Sequence, residues 1–351
     1  MLFAAAVALA IEPASPDYPG HCQSPRWSPD GRWLSWEVNY VDRQAVELYV
    51  AVTGSATPPR RVGPAAKAGS TVTAGFGGSG PARGVVHELT FSPAGVDRFI
   101  YSASGAAEDY DLYLDGSGAL AAAAGADGGA AWSPDGRSLL FTSARSGQGD
   151  LYLLSLGVAG AVPLRLSGDP TASELYANWA PDSKRVVFVG HTRQGDNLYL
   201  IDDIAFPAPR PFLVWSGVQT RPTFSPDGNL VAFYANRDVE DRFDLYVVAS
   251  GGGAPLRLAT GVVLNARGPS WTADGGTIVY VRADNSTLNP VWRVGVTDPK
   301  SARMVPTGTV GNTDIDVVKR QDGKSWLAVA AQGRLADAVR DFRRVYTMVL
   351  P

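Results

Sequence analysis

One composite motif recurs along the chain at nearly constant spacing, and it constrains the fold more than anything else in the sequence. An aromatic residue precedes a Ser/Thr/Ala-Pro-Asp-Gly-like turn at Trp27 (WSPDG), Phe91 (FSPAG), Trp132 (WSPDG), Trp179 (WAPDS), Phe224 (FSPDG) and Trp271 (WTADG). A weaker seventh copy, KRQDGKSWLAVA, starts at Lys319. Aligned on the turn position, the copies fall at Asp30, Ala94, Asp135, Asp182, Asp227, Asp274 and Asp322, with intervals of 64, 41, 47, 45, 47 and 48 residues. A unit repeated at that period cannot bury its apolar faces alone and must stack on its neighbours.

The third copy, WSPDGRSLLFTSARSGQGDLYLLSL from Trp132 to Leu156, shows what the unit is. Pro134 presets φ for a turn, and Asp135 with Gly136 suits the tight backbone after it. SLLFTS reads as a buried strand, ARSGQGD as a polar connection and LYLLSL as a further strand. No helix fits. The second half repeats as well: ELYVA at Glu47, DLYLD at Asp111, DLYLL at Asp150, NLYLI at Asn197 and DLYVV at Asp244, drifting to PVWRV at Pro290. A period near 45 residues is that of a four-stranded propeller blade. The expected fold is therefore all-β, a β-propeller of four-stranded blades. The copy count favours seven blades. The aromatic is expected between adjacent blades, with the turn Asp capping local amides.

The motif WSPDGRxLxFxSxxxGxxDLYL resembles the WD40-like repeat of bacterial TolB-type β-propellers, over roughly residues 24 to 331. The resemblance implies six blades as the alternative count. It also implies a periplasmic or otherwise extracytoplasmic protein that works by binding other proteins of the cell envelope. The TolB protein carries an N-terminal domain before its propeller, whereas here the first repeat begins by residue 24.

The sequence divides into an N-terminal segment, 1–23, and a single propeller domain, 24–351. The seventh copy has strands near Ile315 to Lys319, Trp326 to Ala331 and Val345 to Leu350 but lacks a fourth. An open ring would leave unpaired backbone groups. The segment LFAAAVALAIEP could supply the missing strand; the rival reading is a signal-peptide remnant. Its apolar run of 11 residues is too short to span a bilayer. The long first interval holds a Gly/Pro-rich insertion at 53–84. QGRLADAVRDFRRVY, from Gln332, reads as a linker into the last strand.

Composition closes off several kinds of chemistry. The net charge of -3 gives no basic footprint for nucleic acid. A single cysteine, Cys22, excludes an internal disulfide framework and a Cys-cluster metal site. The GFGGSG at Gly75 matches a dinucleotide fingerprint in letters only, because Pro81 and a strand follow it rather than a helix. There is no nucleophile elbow and no P-loop.

Candidate site residues come from positions outside the repeat signature. His87 and Glu88 precede the inner strand of the second blade, where loops gather at the channel mouth. His21 and His191 are the only other histidines. Glu88, Glu174, Asp314 and Asp316 could line the mouth, either as a glycosidase pair or as oxygen ligands for Ca²⁺; otherwise no cofactor is expected. Arg43, Arg145, Arg193, Arg237 and Arg282 recur between second and third strands, which suits either a partner's carboxylates or local solubility. The expected binding face comprises His87, Glu88, Glu174, Tyr176, Arg193, Arg221, Arg237 and Arg267. The expected function is a non-enzymatic protein–protein interaction scaffold using the loop face and channel mouth. The alternatives are a propeller enzyme acting on carbohydrate, as lyase or glycosidase, and a structural subunit of a larger envelope complex docked through the insertion.

Overall fold

The recurring turn is built by two short side chains. In blade 3, Asp135 Oδ1 accepts from Ser133 Oγ at 2.6 Å and from the Arg137 amide at 3.0 Å, while Ser133 Oγ accepts from the Ser138 amide at 2.9 Å. The same Ser–Asp lock recurs at Ser28 with Asp30 and at Ser225 with Asp227, and Thr272 with Asp274 reproduces the Asp half. The glycine after the Asp takes a left-handed φ, 72° at Gly136, which suits a residue without Cβ.

The computed structural model describes residues 11–42, 45–63, 72–73, 81–82, 86–93, 98–104, 109–120, 123–168, 171–284, 288–335 and 341–351. Every regular element among them is a strand. Besides two two-stranded sheets, the described strands form seven antiparallel blades in sequence order: blade 1 (21–62), blade 2 (86–114), blade 3 (127–165), blade 4 (173–213), blade 5 (219–259), blade 6 (270–304) and blade 7 (315–349). Blade 4 shows the plan, with Ser173–Trp179 inside, then Val186–Thr192, Gly195–Ile201 and Arg210–Leu213 outside. Blade 2 has three strands among the described residues, with Ala119 bridging Tyr113 where a fourth would pair.

Second strands are buried on both faces, as in Ser138–Ser143 and Leu230–Ala235, which is why they read as unbroken apolar runs. The tyrosine of each LY pair lies directly across from an aromatic of that strand. Tyr152 stacks on Phe141, Tyr199 on Phe188 and Tyr246 on Phe233, with centroids 5.6–5.8 Å apart. Trp292 opposes Tyr280 in blade 6, so the drifted PVWRV keeps the aromatic pair.

Blades meet through seven apolar clusters, one per interface. Leu48, Val50 and Phe99 join blades 1 and 2, and Ile100, Leu139 and Phe141 join blades 2 and 3. The series continues round the ring to Trp36, Val38, Ala328 and Val345 between blades 7 and 1. The motif aromatics sit in these seams as expected. The Trp179 indole N–H donates to Ala131 O at 3.0 Å, and Trp271 Nε1 donates to Thr223 Oγ1 at 3.0 Å, each reaching the preceding blade.

The ring is closed by the start of the chain. Strand Glu12–Pro13 pairs antiparallel with Arg344–Val349 as the outer strand of blade 7. Ser15 Oγ accepts from the Val345 amide at 3.0 Å, and Arg344 bonds Ser15 O and pairs with Asp17 at 3.1 Å. The closing strand is thus the end of the apolar N-terminal segment; residues 1–10 lie outside the described residues. The stretch read as an insertion, 53–84, contains the outer strand of blade 1, Arg60–Val62, which escapes notice because RRV is three residues long and hidden between Pro and Gly. Farther along it, Val72–Thr73 pairs with Pro81–Ala82; Gly75 to Gly80 lie outside the described residues. The linker read at Gln332 contains a strand, Gly333–Arg334, paired with Thr309–Val310.

Candidate functional site

The channel wall is shaped by a bulge repeated in the inner strands. Pairing of the first and second strands slips at Gln23/Arg26, His87/Thr90, Gly128/Ala131, Leu175/Asn178 and Thr220/Thr223. Within each slip, the residue three places before the blade aromatic has a left-handed φ: Ser24 (49°), Glu88 (58°), Gly129 (62°), Tyr176 (53°) and Arg221 (52°). Gly268 (95°) holds the same place in blade 6. Such a conformation costs a non-glycine residue about 1 kcal/mol or more and persists only where tertiary packing imposes it. A bulge bends its strand and re-aims a side chain. Here it brings Ser24, Glu88, Tyr176 and Arg221 to the wall of one cavity of about 630 Å³.

That cavity is bounded by the inner strands of blades 1 to 5 and by Ala266 and Arg267, on the way into blade 6. Apolar wall comes from Leu89, Phe91 and Trp179, and charged wall from Arg26, Arg221, Arg267, Glu37, Glu88 and Asp127. Two of these carboxylates are tied to backbone amides, and Asp127 to Arg145 at 2.8 Å. Glu88 Oε2 accepts from the Gly129 N–H at 2.5 Å, and Glu37 Oε1 accepts from the Glu88 N–H at 2.9 Å. Gln23 donates to Glu37 Oε2 at 3.1 Å. Asp316 accepts from the Trp27 and Val317 amides at 2.8 and 3.0 Å. Burial raises the Asp316 carboxyl above its ordinary range, with Arg26 opposing.

The cations are held differently. Arg267 reaches across the channel to donate Nη2 to Leu89 O at 2.8 Å. Burial, together with the like charge of Arg26, lowers its pKa. The Arg221 guanidinium carbon lies 5.2 Å from the centre of the Tyr176 ring, and its buried Nε has no hydrogen-bond partner among the described residues.

The expected binding residues therefore separate. Glu88, Tyr176, Arg221 and Arg267 share the cavity wall. Glu174 is buried at the start of the blade 4 inner strand, where its carbonyl accepts from Thr142 Oγ1. Arg193 is exposed on the turn between the second and third strands of blade 4. Arg237 is exposed and lies 4.6 Å from the centre of the Trp215 ring. Arg145 and Arg282 likewise stack on blade aromatics, so the recurring arginines largely brace their own blades. The side chain of His87 and all of Arg43 lie outside the described residues. His191 is exposed, with Nδ1 2.6 Å from Asp196 Oδ1, and His21 packs on the Phe342 ring. Asp314 accepts from the Ala266 amide at 3.0 Å.

Ser24, Arg26 and Glu37 join the wall without having been singled out from the sequence. The usable signal was position: each bulge residue stands three places before its blade aromatic. Among the described residues, no three His, Cys, Asp or Glu side chains are placed to share a metal ion. No helix among them is long and apolar enough to cross a membrane.

No protein-family model matches the chain, and no curated protein matches it. Solved structures match its fold. TolB from Acinetobacter baumannii is 18% identical with a TM-score of 0.55, over 82% of this chain and 64% of that one, so the chain spans less than two thirds of its length. Oligogalacturonate lyase in complex with manganese is 14% identical with a TM-score of 0.53, over 75% of this chain and 88% of that one. Prolyl oligopeptidase B from Galerina marginata is 13% identical with a TM-score of 0.57, over 88% of this chain and 45% of that one. The chain is a TolB-like β-propeller in fold.

Proposed function

We propose that this propeller is a non-enzymatic interaction scaffold of the bacterial cell envelope, outside the cytoplasm, and that it takes a short segment of a partner protein into its channel cavity. The TolB-like fold supports a protein-binding role. One observation carries the choice of binding over catalysis. Two carboxylates of the wall, Glu37 and Glu88, are engaged by main-chain amides of neighbouring blades, and the third, Asp127, pairs with Arg145 at 2.8 Å. A carboxylate so engaged serves as a brace, whereas a glycosidase needs two that face one bond across an open gap. The wall also combines the half-exposed Tyr176 ring with Leu89, Phe91 and charged groups, a mixture suited to a peptide and of a volume ordinary for a ligand site.

The test is affinity purification of the wild type and of Tyr176→Ala from native envelope, with mass spectrometry of what is retained. A stoichiometric partner held by the wild type and lost by the variant is the expected result. A wild type that retains nothing, or a variant that retains the same partner equally well, overturns the reading.

A further inference from the structure

The hydrogen-bonding capacity of the cavity is unbalanced. Its acids and bases are equal in number, with Glu37, Glu88 and Asp127 set against Arg26, Arg221 and Arg267. Their partners are not equal. Glu37 and Glu88 accept from amides of the protein itself, and Asp127 is paired with Arg145, outside the cavity wall. Arg267 is held by one carbonyl. The buried Nε of Arg221 has no hydrogen-bond partner among the described residues, and Arg26 is set against Asp316 by charge alone. A guanidinium carries five donors, and a buried donor without an acceptor costs free energy that a ligand can recover. What the cavity lacks is an acceptor.

Two further features shape the missing group. The Arg221 guanidinium carbon sits 5.2 Å from the centre of the Tyr176 ring, and a planar fork of donors suits bidentate pairing with a planar anion. Arg26, Arg221 and Arg267 all line the one cavity, so an anion entering it meets three cations. We propose that the cavity is a carboxylate-recognition site in which Arg26 and Arg221 receive an acidic side chain of the partner segment. The inference rests on the peptide-binding reading above and names the group that reading leaves open.

The experiment is calorimetric titration of the full chain, at low ionic strength, with triglutamate, triglutamine and trigalacturonate. It uses wild type, Arg26→Gln, Arg221→Gln and the charge-retaining Arg221→Lys, each checked for folding by thermal melting. Triglutamate is expected to bind the wild type and to lose about tenfold or more in affinity in each Gln variant, with Arg221→Lys intermediate and triglutamine silent. Equal binding of triglutamate and triglutamine, or no loss in either Gln variant, overturns the proposal. Binding of trigalacturonate without triglutamate overturns the peptide as source of the carboxylate. An envelope partner retained undiminished by both Gln variants overturns the carboxylate site while leaving the scaffold reading intact. Triglutamate binding by a wild type that retains no partner does the reverse.

Discussion

The backbone amide of Trp27 donates to Asp316 Oδ2 at 2.8 Å, bonding the inner strand of the first blade to that of the last through a side chain. Asp316 occupies the place, three before the blade's aromatic position, that holds a left-handed residue in the other six blades, yet its own strand pairs without a slip. Asp316→Ala leaves the Trp27 amide without this acceptor and should cost about 1–3 kcal/mol. Asp316→Asn, which keeps an acceptor oxygen, should cost less. Urea unfolding of the two variants checks the order; an Ala variant as stable as wild type would show that the bond does not hold the seam.

The indoles of the seams offer an internal comparison. Trp179 Nε1 donates to the neighbouring blade, whereas Trp132 Nε1 is buried without a partner among the described residues. Trp179→Phe should therefore lose about 1 kcal/mol more than Trp132→Phe. Equal midpoints in denaturant would refute the assignment of Trp179 as a hydrogen-bonded seam residue.

The turn locks predict acid behaviour. Hydrogen bonds from Ser133 and Thr272 hold the carboxyls of Asp135 and Asp274 below the usual range. A depressed folded pKa gives stability that is fully present above the unfolded value, about 3.9, and is lost as pH falls through the folded values. The melting temperature should drop as pH goes below about 4, and the drop should be shallower in Asp135→Asn. A variant with the wild-type acid slope would count against the lock.

Asp127 has the opposite sign. Burial pushes its carboxyl up to about 6, against the pull of Ser143 and of Arg145, whose Nη2 lies 2.8 Å away. The folded state then binds this proton more tightly than the unfolded one, so stability rises as pH falls from above 6 towards 4, by up to about 3 kcal/mol. The turn carboxylates stay ionised in both states over most of that window. Asp127→Asn should remove the gain, read as denaturant midpoints at pH 7 and pH 4.5; persistence of the full gain in the variant would trace it to other groups.

The architecture was legible because the features that build it are short-range and repeated. Ser133 and Asp135 bond within five residues, and each LY tyrosine faces an aromatic across one hairpin. The site was only half legible, since its shaping element leaves no compositional trace. Ser24, Glu88, Tyr176 and Arg221 take a backbone conformation that favours Gly or Asn, so only Gly129 and Gly268 spell it in letters. Arg26 and Glu37 belong to the first blade, and only closure of the ring brings them to Arg267. Arg193 and Arg237 looked like members of a binding ring because their spacing matched the blades, but spacing does not say whether a guanidinium turns to the channel or to its own blade's rings.

The seven apolar seams have a mechanical consequence. In a linear stack the outermost units have one neighbour and peel first. Here every blade, the first and last included, has two neighbours. No blade can come away without opening two interfaces at once, so melting should be a single event that any one broken seam makes easier.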